Sequence, residues 1–349
     1  MIYSEPVKIF LKMSPSFTLA ALNKCLFITD EHQTAASGNT NEIKVFSSSK
    51  EVADWFGNNA VVFKAVEFFL GQKRFPSRQP ILPEFFTILS VKKDVPITKE
   101  IILDALNEKA LSQQWYGLTC LIDILKAGDL NSWLNENRKR QFAENITKTI
   151  LPANQSDRYI EVYNTLTSGD NREFKAVSYM ATCITNGAGS KSDMNILSMC
   201  TADVEGGDRQ VLSDLNINFV EKRTSLNYNV VRTGVGTDGQ DITEGTATDC
   251  IIYNLIDNLE IAMAEVGLKQ DSRGYSLLES TIAKVMGEMY VMGLIADKNG
   301  QAEFLIQPIN QTETERQLKV IRPVVVFRLA DYAKTIELTL ERTYGEVNA

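Results

Sequence analysis

A glycine-rich stretch near the middle of the chain has the spacing of a nucleotide-binding motif. Gly234-Val235-Gly236-Thr237-Asp238-Gly239 follows a strand-like run and reads G-x-G-x-x-G, the pattern that lets a backbone approach a pyrophosphate. That motif needs its third glycine inside a helix whose N-terminus faces the phosphates. Residues 240–245 are polar and contain another glycine, so we expect the helix to begin only after them. The stretch therefore favours an ordinary Gly/Asp turn over a dinucleotide site.

Cysteine and histidine offer little chemistry in this sequence. The five cysteines, at positions 25, 120, 183, 200 and 250, contain no C-x-x-C pair, which is neither a disulfide framework nor a zinc site. Free buried thiols in a reducing compartment are the simplest interpretation. His32 is the sole histidine and lies in a polar segment, where we expect it at the surface. Any Ser-His-Asp or Cys-His mechanism would have to use it.

The acidic residues do not form a recognisable site either. Glu205-Gly206-Gly207-Asp208 lacks the ligand spacing of an EF-hand, and a solvated turn is the better interpretation. No pair of carboxylates has a separation that the sequence defines. We therefore expect no catalytic residues, no metal ligands and no cofactor, and a protein that is not an enzyme.

Composition limits the class of protein. A chain of 349 residues exceeds the size at which one core usually keeps growing, so two domains are expected. The net charge of −8 and a pI of 5.0 disfavour direct binding to nucleic acid or to an anionic membrane. The first twelve residues lack the apolar run of a signal peptide, and no membrane span is visible. These features predict a soluble protein made in a cytoplasm.

The last hundred residues have the clearest periodicity and predict two amphipathic helices followed by strands. The helices carry apolar residues at steps of three and four, at Leu255, Leu259, Met263 and Val266 and then at Leu278, Ile282, Val285, Met289 and Met292. Gly293 weakens the end of the second helix, and its methionine stripe fits core packing better than a protein-binding face. Strands are predicted at 303–307, 318–329 and 335–344, the last with clean alternation.

The upstream residues predict alternating strands and helices, and hence an α/β (mixed α+β) fold. Ser48 to Glu51 forms a candidate capping box, Gly57 ends that helix, and Asn59 is a candidate cap for the next one. Predicted strands lie at 7–12, 22–29, 42–46, 85–91, 115–122, 145–151, 218–222 and 228–232.

The order of these motifs resembles a known family. Residues 45–57 place serines before a helix that ends in Phe56-Gly57, and a helix with Phe68-Phe69 and a proline-containing connector follows. Further on come Trp115-Tyr116-Gly117-Leu118 and a Gly-rich turn at 237–245 before two helices and terminal strands. This order resembles the contractile tail sheath protein of a tailed bacteriophage or phage-tail-like particle, over most of the chain outside 154–225.

The resemblance implies an architecture and a set of partners. Subunits would stack as six-fold, hexameric rings around a tail tube protein, contact baseplate and tail terminator proteins, and contract to drive the tube into a cell. Assembly would take place in the cytoplasm of a bacterial host. The expected divisions are a strand arm at 1–20, an outer α/β part at 21–239, an inner core of two helices on a mixed sheet at 240–334, and a strand arm at 335–349. The alternatives are a Rossmann-like NAD(P)/FAD oxidoreductase and a non-sheath tail or baseplate ring protein.

The two end arms are the predicted assembly site, because strand-like chain ends can add to a neighbour's sheet. Lys8 and Lys12 lie opposite the apolar positions of the first arm, and Glu337 and Glu341 lie opposite those of the second. Opposite charges on paired strands would select register and partner. The alternative is that both arms pair within their own subunit. The apolar positions are Val7, Ile9 and Leu11 in the first arm and Ile336, Leu338 and Leu340 in the second.

Overall fold

The computed structural model describes residues 22–33, 38–73, 85–93, 96–125, 128–147, 155–185, 187–204, 206–223 and 228–330. Six strands of the first part are β1 (Cys25–Thr29), β2 (Glu42–Phe46), β3 (Phe86–Ser90), β4 (Gly117–Cys120), β5 (Arg140–Asn145) and β6 (Tyr159–Tyr163). They form one sheet in the order β2-β3-β1-β4-β5-β6. Neighbours are parallel, except that the edge strand β2 runs antiparallel to β3. The α/β character expected from the sequence is confirmed.

Helices cover both faces of this sheet. They are α1 (Ser49–Phe56), α2 (Val61–Leu70), α3 (Lys99–Ala105), α4 (Asn131–Asn137) and α5 (Lys175–Thr185). Phe27 of β1 packs with α1, α2 and α5 on one face, while its neighbours Leu26 and Ile28 pack with α3 and α4 on the other. Because both faces are covered, every residue of β1 is buried, and the strand has a continuous apolar sequence rather than an alternating one.

Two helix starts illustrate how far capping can be deduced from sequence. Ser48 caps α1 as predicted, accepting a hydrogen bond from the Glu51 amide, although the Glu51 carboxylate binds Ser47 rather than closing the box on Ser48. The predicted Asn59 cap of α2 is wrong. Instead, the carboxylate of Glu31, thirty residues upstream, accepts 2.8 Å hydrogen bonds from the first two amides of α2, a tertiary contact that no local pattern contains.

The strand predicted at 145–151 is wrong in its position. The strand is β5, Arg140–Asn145, and residues 148–151 of the prediction lie outside the described residues. The apolar pattern of the sequence gave the wrong position because β5 begins with a charged residue, Arg140. This residue is fully buried and paired with other charged groups. Strand β6, which was not predicted, carries the buried Glu161 among its apolar residues for a similar reason, since Asn145 donates a hydrogen bond to it.

His32 is buried, with 7% of its surface exposed, and its predicted place at the surface is wrong. Its Nε2 lies 2.8 Å from the carbonyl oxygen of Val91, and its Nδ1 lies 3.9 Å from the Glu42 carboxylate. The ring is thus packed beneath the sheet edge, and this backbone contact offsets part of the cost of burying it.

The remaining described elements follow the sheet. A short helix α6 (Asp208–Asp214) precedes an antiparallel ribbon of β7 (Phe219–Arg223) and β8 (Tyr228–Arg232). Two long helices, α7 (Ile242–Val266) and α8 (Ser272–Val291), come next. The last elements are β9 (Asp297–Lys298), β10 (Gln301–Ala302), β11 (Phe304–Ile306), α9 (Glu313–Gln317) and β12 (Val325–Phe327), with β9 paired to β10 and β11 to β12.

The predicted helix faces are partly correct. Leu255 and Leu259 of α7 are buried, whereas Met263 is 53% exposed. On α8, Leu278, Ile282, Val285 and Met289 are buried, so core packing of this stripe is confirmed, but Met292 lies just beyond the helix and is 49% exposed.

The long strand predicted at 318–329 is wrong. Only Val325–Phe327 is strand. Lys319 adopts a positive φ of 55° after α9, and Pro323 removes a backbone donor. The apolar run therefore contains a turn that its composition conceals.

One cluster of buried residues runs from Phe86 and Tyr116 in the sheet through Ile251 of α7 to Leu278 of α8. Helix α7 therefore belongs to the sheet at its start and to the α7–α8 pair at its end. The division between 21–239 and 240–334 stays a prediction, and the two arms, 1–20 and 335–349, lie outside the described residues.

Candidate assembly surface

A buried cluster of charges fastens α7 to the sheet. The Asp249 carboxylate accepts hydrogen bonds from both terminal nitrogens of Arg158, and from the Tyr116 hydroxyl at 2.5 Å. Arg140 donates through Nε to the Tyr116 hydroxyl at 2.6 Å and through its other nitrogens to Asp157. Burial would raise the pKa of Asp249, but Arg158 and Arg140 together with these hydrogen bonds hold that pKa below its usual value. The hydrogen-bonding groups of these side chains already have partners and are enclosed by the protein, so their role is to hold α7 in place.

The same cluster explains Gly245, which the sequence placed in a polar turn before the helix. Helix α7 begins earlier, at Ile242, with Asp241 accepting a hydrogen bond from the Thr243 amide as its cap. A Cβ on Gly245 would lie 2.1 Å from Nη2 of Arg140. Glycine is needed here because the guanidinium packs directly against the first turn of the helix.

The G-x-G-x-x-G stretch is a turn between β8 and α7. Gly234 and Gly239 have φ values of 71° and 85°, and a Cβ on Gly236 would lie 2.8 Å from the Asp157 Cα. The strand before it belongs to an antiparallel ribbon rather than to the parallel sheet. The first two amides of α7 are already engaged, that of Ile242 by the Gly234 carbonyl and that of Thr243 by the Asp241 carboxylate. This geometry differs from that of a dinucleotide site, as the sequence led us to expect.

The carboxyl ends of the parallel strands are where an enzyme with this sheet topology would bind its ligand. Next to β1, where the order of the strands reverses, the backbone amides at the start of α2 already donate hydrogen bonds to the Glu31 carboxylate. One strand further, a crevice of about 370 Å³ lies beside β4 and β5 and is lined by Cys120, Glu144 and Arg172 among others. Burial raises the pKa of Glu144 to about 7. Burial also raises the pKa of the Cys120 thiol to about 12, which suppresses formation of a thiolate nucleophile there.

The other chemical groups are equally unreactive or dispersed. All five cysteines are free, and burial raises the pKa of Cys183, Cys200 and Cys250 to about 12, which suppresses thiolate formation. Within the described ranges, His, Cys, Asp and Glu do not form a group that could hold a metal ion. None of the helices described there has the length and apolar composition required to cross a bilayer.

What stands out instead is the apolar surface of the C-terminal part. Leu305 of β11 and Val326 of β12 are paired directly across the hairpin and are 61% and 49% exposed. Their neighbours Phe304 and Phe327 point the other way and pack on the core. The hairpin is thus apolar on both faces, whereas a two-stranded sheet with one solvated face normally carries polar residues there.

More exposed apolar residues lie around this hairpin. A groove of about 510 Å³ separates its Ile306 and Pro308 from Glu279 and Ala283 of α8. Exposed apolar side chains that form one patch mark interaction sites in soluble proteins. The large apolar side chains exposed in this part of the chain are Ile261, Met263, Val291, Met292, Leu305, Leu318, Val324 and Val326.

The chain enters and leaves the described structure on one side of α7. Leu22 shares a small enclosure with Ala188 and Thr246. Nearby, a Cβ on Gly189 would contact Leu294, whose carbonyl accepts a hydrogen bond from the amide of Ala330. Residues 22 and 330 therefore lie close to the same short segment, which the sequence did not reveal.

The ten predicted arm residues themselves lie outside the described residues. Their pairing and their charge complementarity stay predictions. These residues are Val7, Lys8, Ile9, Leu11, Lys12, Ile336, Glu337, Leu338, Leu340 and Glu341.

The fold is similar to those of chains in contractile assemblies. A chain of the anti-feeding prophage (AFP) baseplate matches with a TM-score of 0.71 at 12% identity, over 98% of this chain and 99% of that one. The PVC sheath complex of an extracellular contractile injection system, in its contracted state, gives 0.70 at 9% identity over 99% of both chains. A sheath tail protein from Listeria innocua gives 0.54 at 8% identity, over 90% of this chain and 98% of that one.

By sequence alone, no family profile matches the chain, and no curated protein does. The structural likeness extends over nearly the whole length of both partners in each comparison. It confirms, at the level of the fold, the resemblance to contractile tail sheath proteins that the motif order indicated.

Proposed function

We propose that this protein is the structural subunit of a contractile tail sheath. It polymerises as stacked hexameric rings around a tail tube, and the sheath contracts to drive the tube through a cell envelope. The observation that carries this proposal is the match over 99% of both chains to a PVC sheath complex in its contracted state.

The partners follow from this role. Copies of the same chain, the tube protein, and the baseplate and tail terminator proteins are its neighbours, and it acts without a catalytic site or a cofactor. It is located in a virion tail or a phage-tail-like particle and is assembled in the cytoplasm of the bacterial host. The inner part is built from residues after 240 and the outer part from 21–239.

The arms at 1–20 and 335–349 join neighbouring subunits by adding strands to the C-terminal sheet. Two described features support this proposal. The β11–β12 hairpin is too small to be stable alone and exposes Leu305 and Val326, and the chain enters and leaves near the same segment of α7. Arms that start from one place can link two neighbours at once.

The first test is negative-stain microscopy of the purified full-length chain. We expect rods or tubes of stacked rings. A Rossmann-like oxidoreductase would remain dispersed and would be stabilised thermally by NAD or FAD. Dispersed particles with saturable dinucleotide stabilisation would refute the sheath assignment.

A second candidate is a ring protein of the baseplate, favoured by the similarity to a chain of the AFP baseplate. The same micrographs separate the two, because a baseplate ring closes without stacking. Deleting residues 335–349 then tests the arms: we expect a folded, soluble chain that forms no rods. If the truncated chain still built normal rods, strand exchange by this arm would be excluded while the sheath role would stand.

A further inference from the structure

A polar cleft lies beside the end of β8, just before the G-x-G-x-x-G turn, and the proposed assembly does not account for it. It has a volume of about 370 Å³, within the range of small-ligand sites, and lies between α6 and the β7–β8 ribbon. The side chains that matter for its chemistry are Asp193, Arg209, Gln210, Ser213, Arg232 and Thr233.

The residues that line this cleft carry two guanidinium groups, Arg209 and Arg232, and one carboxylate, Asp193. Glu221 lies 3.3 Å from Arg209, 2.8 Å from Arg223 and 3.8 Å from Arg232. The second carboxylate, Asp193, lies 3.7 Å from Arg232. Glu221 is thus shared by three guanidinium groups, while the Asp214 carboxylate on α6 accepts a hydrogen bond from Gln210.

Arg232 is the least satisfied of these cations. Both of its contacts with carboxylates exceed hydrogen-bond distance, and its Nη1 donates to the Met194 sulfur at 3.0 Å. A thioether is a weak acceptor, whereas a guanidinium normally binds carboxylate or phosphate oxygens in pairs. The side chain is 29% exposed, so an incoming anion can reach it.

The backbone beside Arg232 is strained. Thr233 has a φ of 92°, an outlier for a β-branched residue, and its Oγ1 is buried without a hydrogen-bond partner among the described residues. Met194 on the facing loop also has a positive φ, of 63°. Gly234 fixes this geometry, because a Cβ there would lie 2.8 Å from the Asp193 amide and the Ser192 hydroxyl. Strain that the surroundings enforce is typical of ligand sites.

We propose that this cleft binds an oxyanion, either a carboxylate or a phosphate group. Arg209 and Arg232 supply charge-assisted donors, and the hydroxyl of Ser213 supplies a neutral one. Rotation about χ1 of Thr233 exchanges its methyl group and its hydroxyl and brings Oγ1 to the anion. The oxyanion comes either from a free small molecule or from an acidic side chain of a second copy of this chain, which has a net charge of −8.

The test measures thermal unfolding of the full-length protein in sodium phosphate or sodium succinate, against sodium chloride at equal ionic strength. We expect a saturable rise in Tm with one of the two anions. Arg209→Gln, whose side chain is 48% exposed, should weaken the apparent affinity by tenfold or more. The exposed Arg273 on α8 gives a matched control: Arg273→Gln changes the net charge equally and should bind like the wild type.

Thr233→Val keeps the β-branched shape and the net charge. Because it removes a buried hydroxyl without a partner, Tm in chloride should be unchanged or higher, while the rise caused by the anion should shrink. An equal rise in Thr233→Val and wild type would overturn the role of Thr233 in the site.

Micrographs of the same variants distinguish the two sources. Normal rods from Arg209→Gln with lost phosphate or succinate binding assign the site to a free anion. Loss of rods in Arg209→Gln but not in Arg273→Gln assigns it to an acidic side chain of a second copy. If the wild type shows no saturable rise and Arg209→Gln forms normal rods, the oxyanion site is refuted.

Discussion

The sheet of the first part and the hairpin of the last part use the same apolar residue types with opposite results. Every residue of β1 and β3 is buried beneath helices. In β11 and β12 no residue is fully buried, and Leu305 and Val326 face solvent. The sheet completes its own core, whereas the hairpin has an apolar face that only another segment can cover. We therefore predict that stability and assembly depend on different parts of the chain and can be changed separately.

The largest effect on stability should come from the charge cluster that joins these parts. Asp249→Asn removes the fully buried carboxylate that Arg158 and Arg140 share and leaves them only the partly exposed Asp157 carboxylate. Removing one partner of a buried ion pair costs about 3–5 kcal/mol. Urea unfolding followed by circular dichroism should show a lower midpoint with an unchanged slope.

The control for this change is Glu265→Gln, which removes one negative charge from an exposed site near the end of the same helix. It should alter the free energy of unfolding by less than about 0.5 kcal/mol. Similar losses in both variants would mean that net charge, rather than the cluster, determines the effect.

A smaller loss is expected from Gly245→Ala. The added methyl group would overlap the Arg140 guanidinium, and overpacking a filled core costs about 1–3 kcal/mol. Gly287→Ala in α8 is the matched change, since no atom lies within 4 Å of its Cβ position. There alanine should stabilise by about 0.5–1 kcal/mol. Equal effects at the two sites would contradict the close approach of Arg140 to α7.

These residues also show what the sequence could and could not predict. The α8 stripe of Leu278, Ile282 and Val285 follows from periodicity, because its burial depends on one local pattern. His32 and β5 were misplaced because their polar groups find partners far along the chain. The Val91 carbonyl lies 2.8 Å from Nε2 of His32, and Asp157 and Asp249 on two other segments bind Arg140.

The two candidate surfaces, the arms and the cleft, also differ in how far the sequence predicts them. Alternation in the arms can be seen in the sequence, so an assembly role could be predicted for them. The oxyanion cleft could not, since Arg209 and Arg232 meet only through the ribbon fold, and the strain at Thr233 depends on the loop that carries Asp193. The position of a charged residue in the sequence does not show which cavity its side chain will line.

The sheet unit also contains a group that should make stability depend on pH. Burial raises the pKa of Glu144 from 4.5 to about 7, so the folded state holds this proton more tightly than the unfolded one. Its contribution is present in full below pH 4.5 and is lost as the pH rises through about 7. Glu144→Gln mimics the protonated form and should exceed the wild type in stability by about 1–2 kcal/mol at pH 8, with little difference at pH 4.5.

Urea unfolding at both pH values measures this difference. Glu136→Gln on the exposed side of α4 changes the net charge equally and serves as the control. A stability difference between Glu144→Gln and wild type that stays constant from pH 4.5 to pH 8 would show that Glu144 is solvated.

The smallest effect on stability, with the largest expected effect on assembly, is predicted for Leu305→Asn. Leu305 is 61% exposed on the outer face of the hairpin, so its replacement removes few contacts within the subunit and should change the free energy of unfolding by less than about 0.5 kcal/mol. If a neighbour's strand covers that face, the buried amide would be desolvated at the interface, and rods should fail to form.

Ile146→Asn is the matched control in the sheet unit, because Ile146 is 63% exposed and follows β5. It should leave both stability and rods unchanged. Sedimentation and negative-stain micrographs of the two variants measure the contrast directly. Rods of normal length from Leu305→Asn would place the interface elsewhere, whereas their loss in Ile146→Asn would show that the sheet unit also carries assembly.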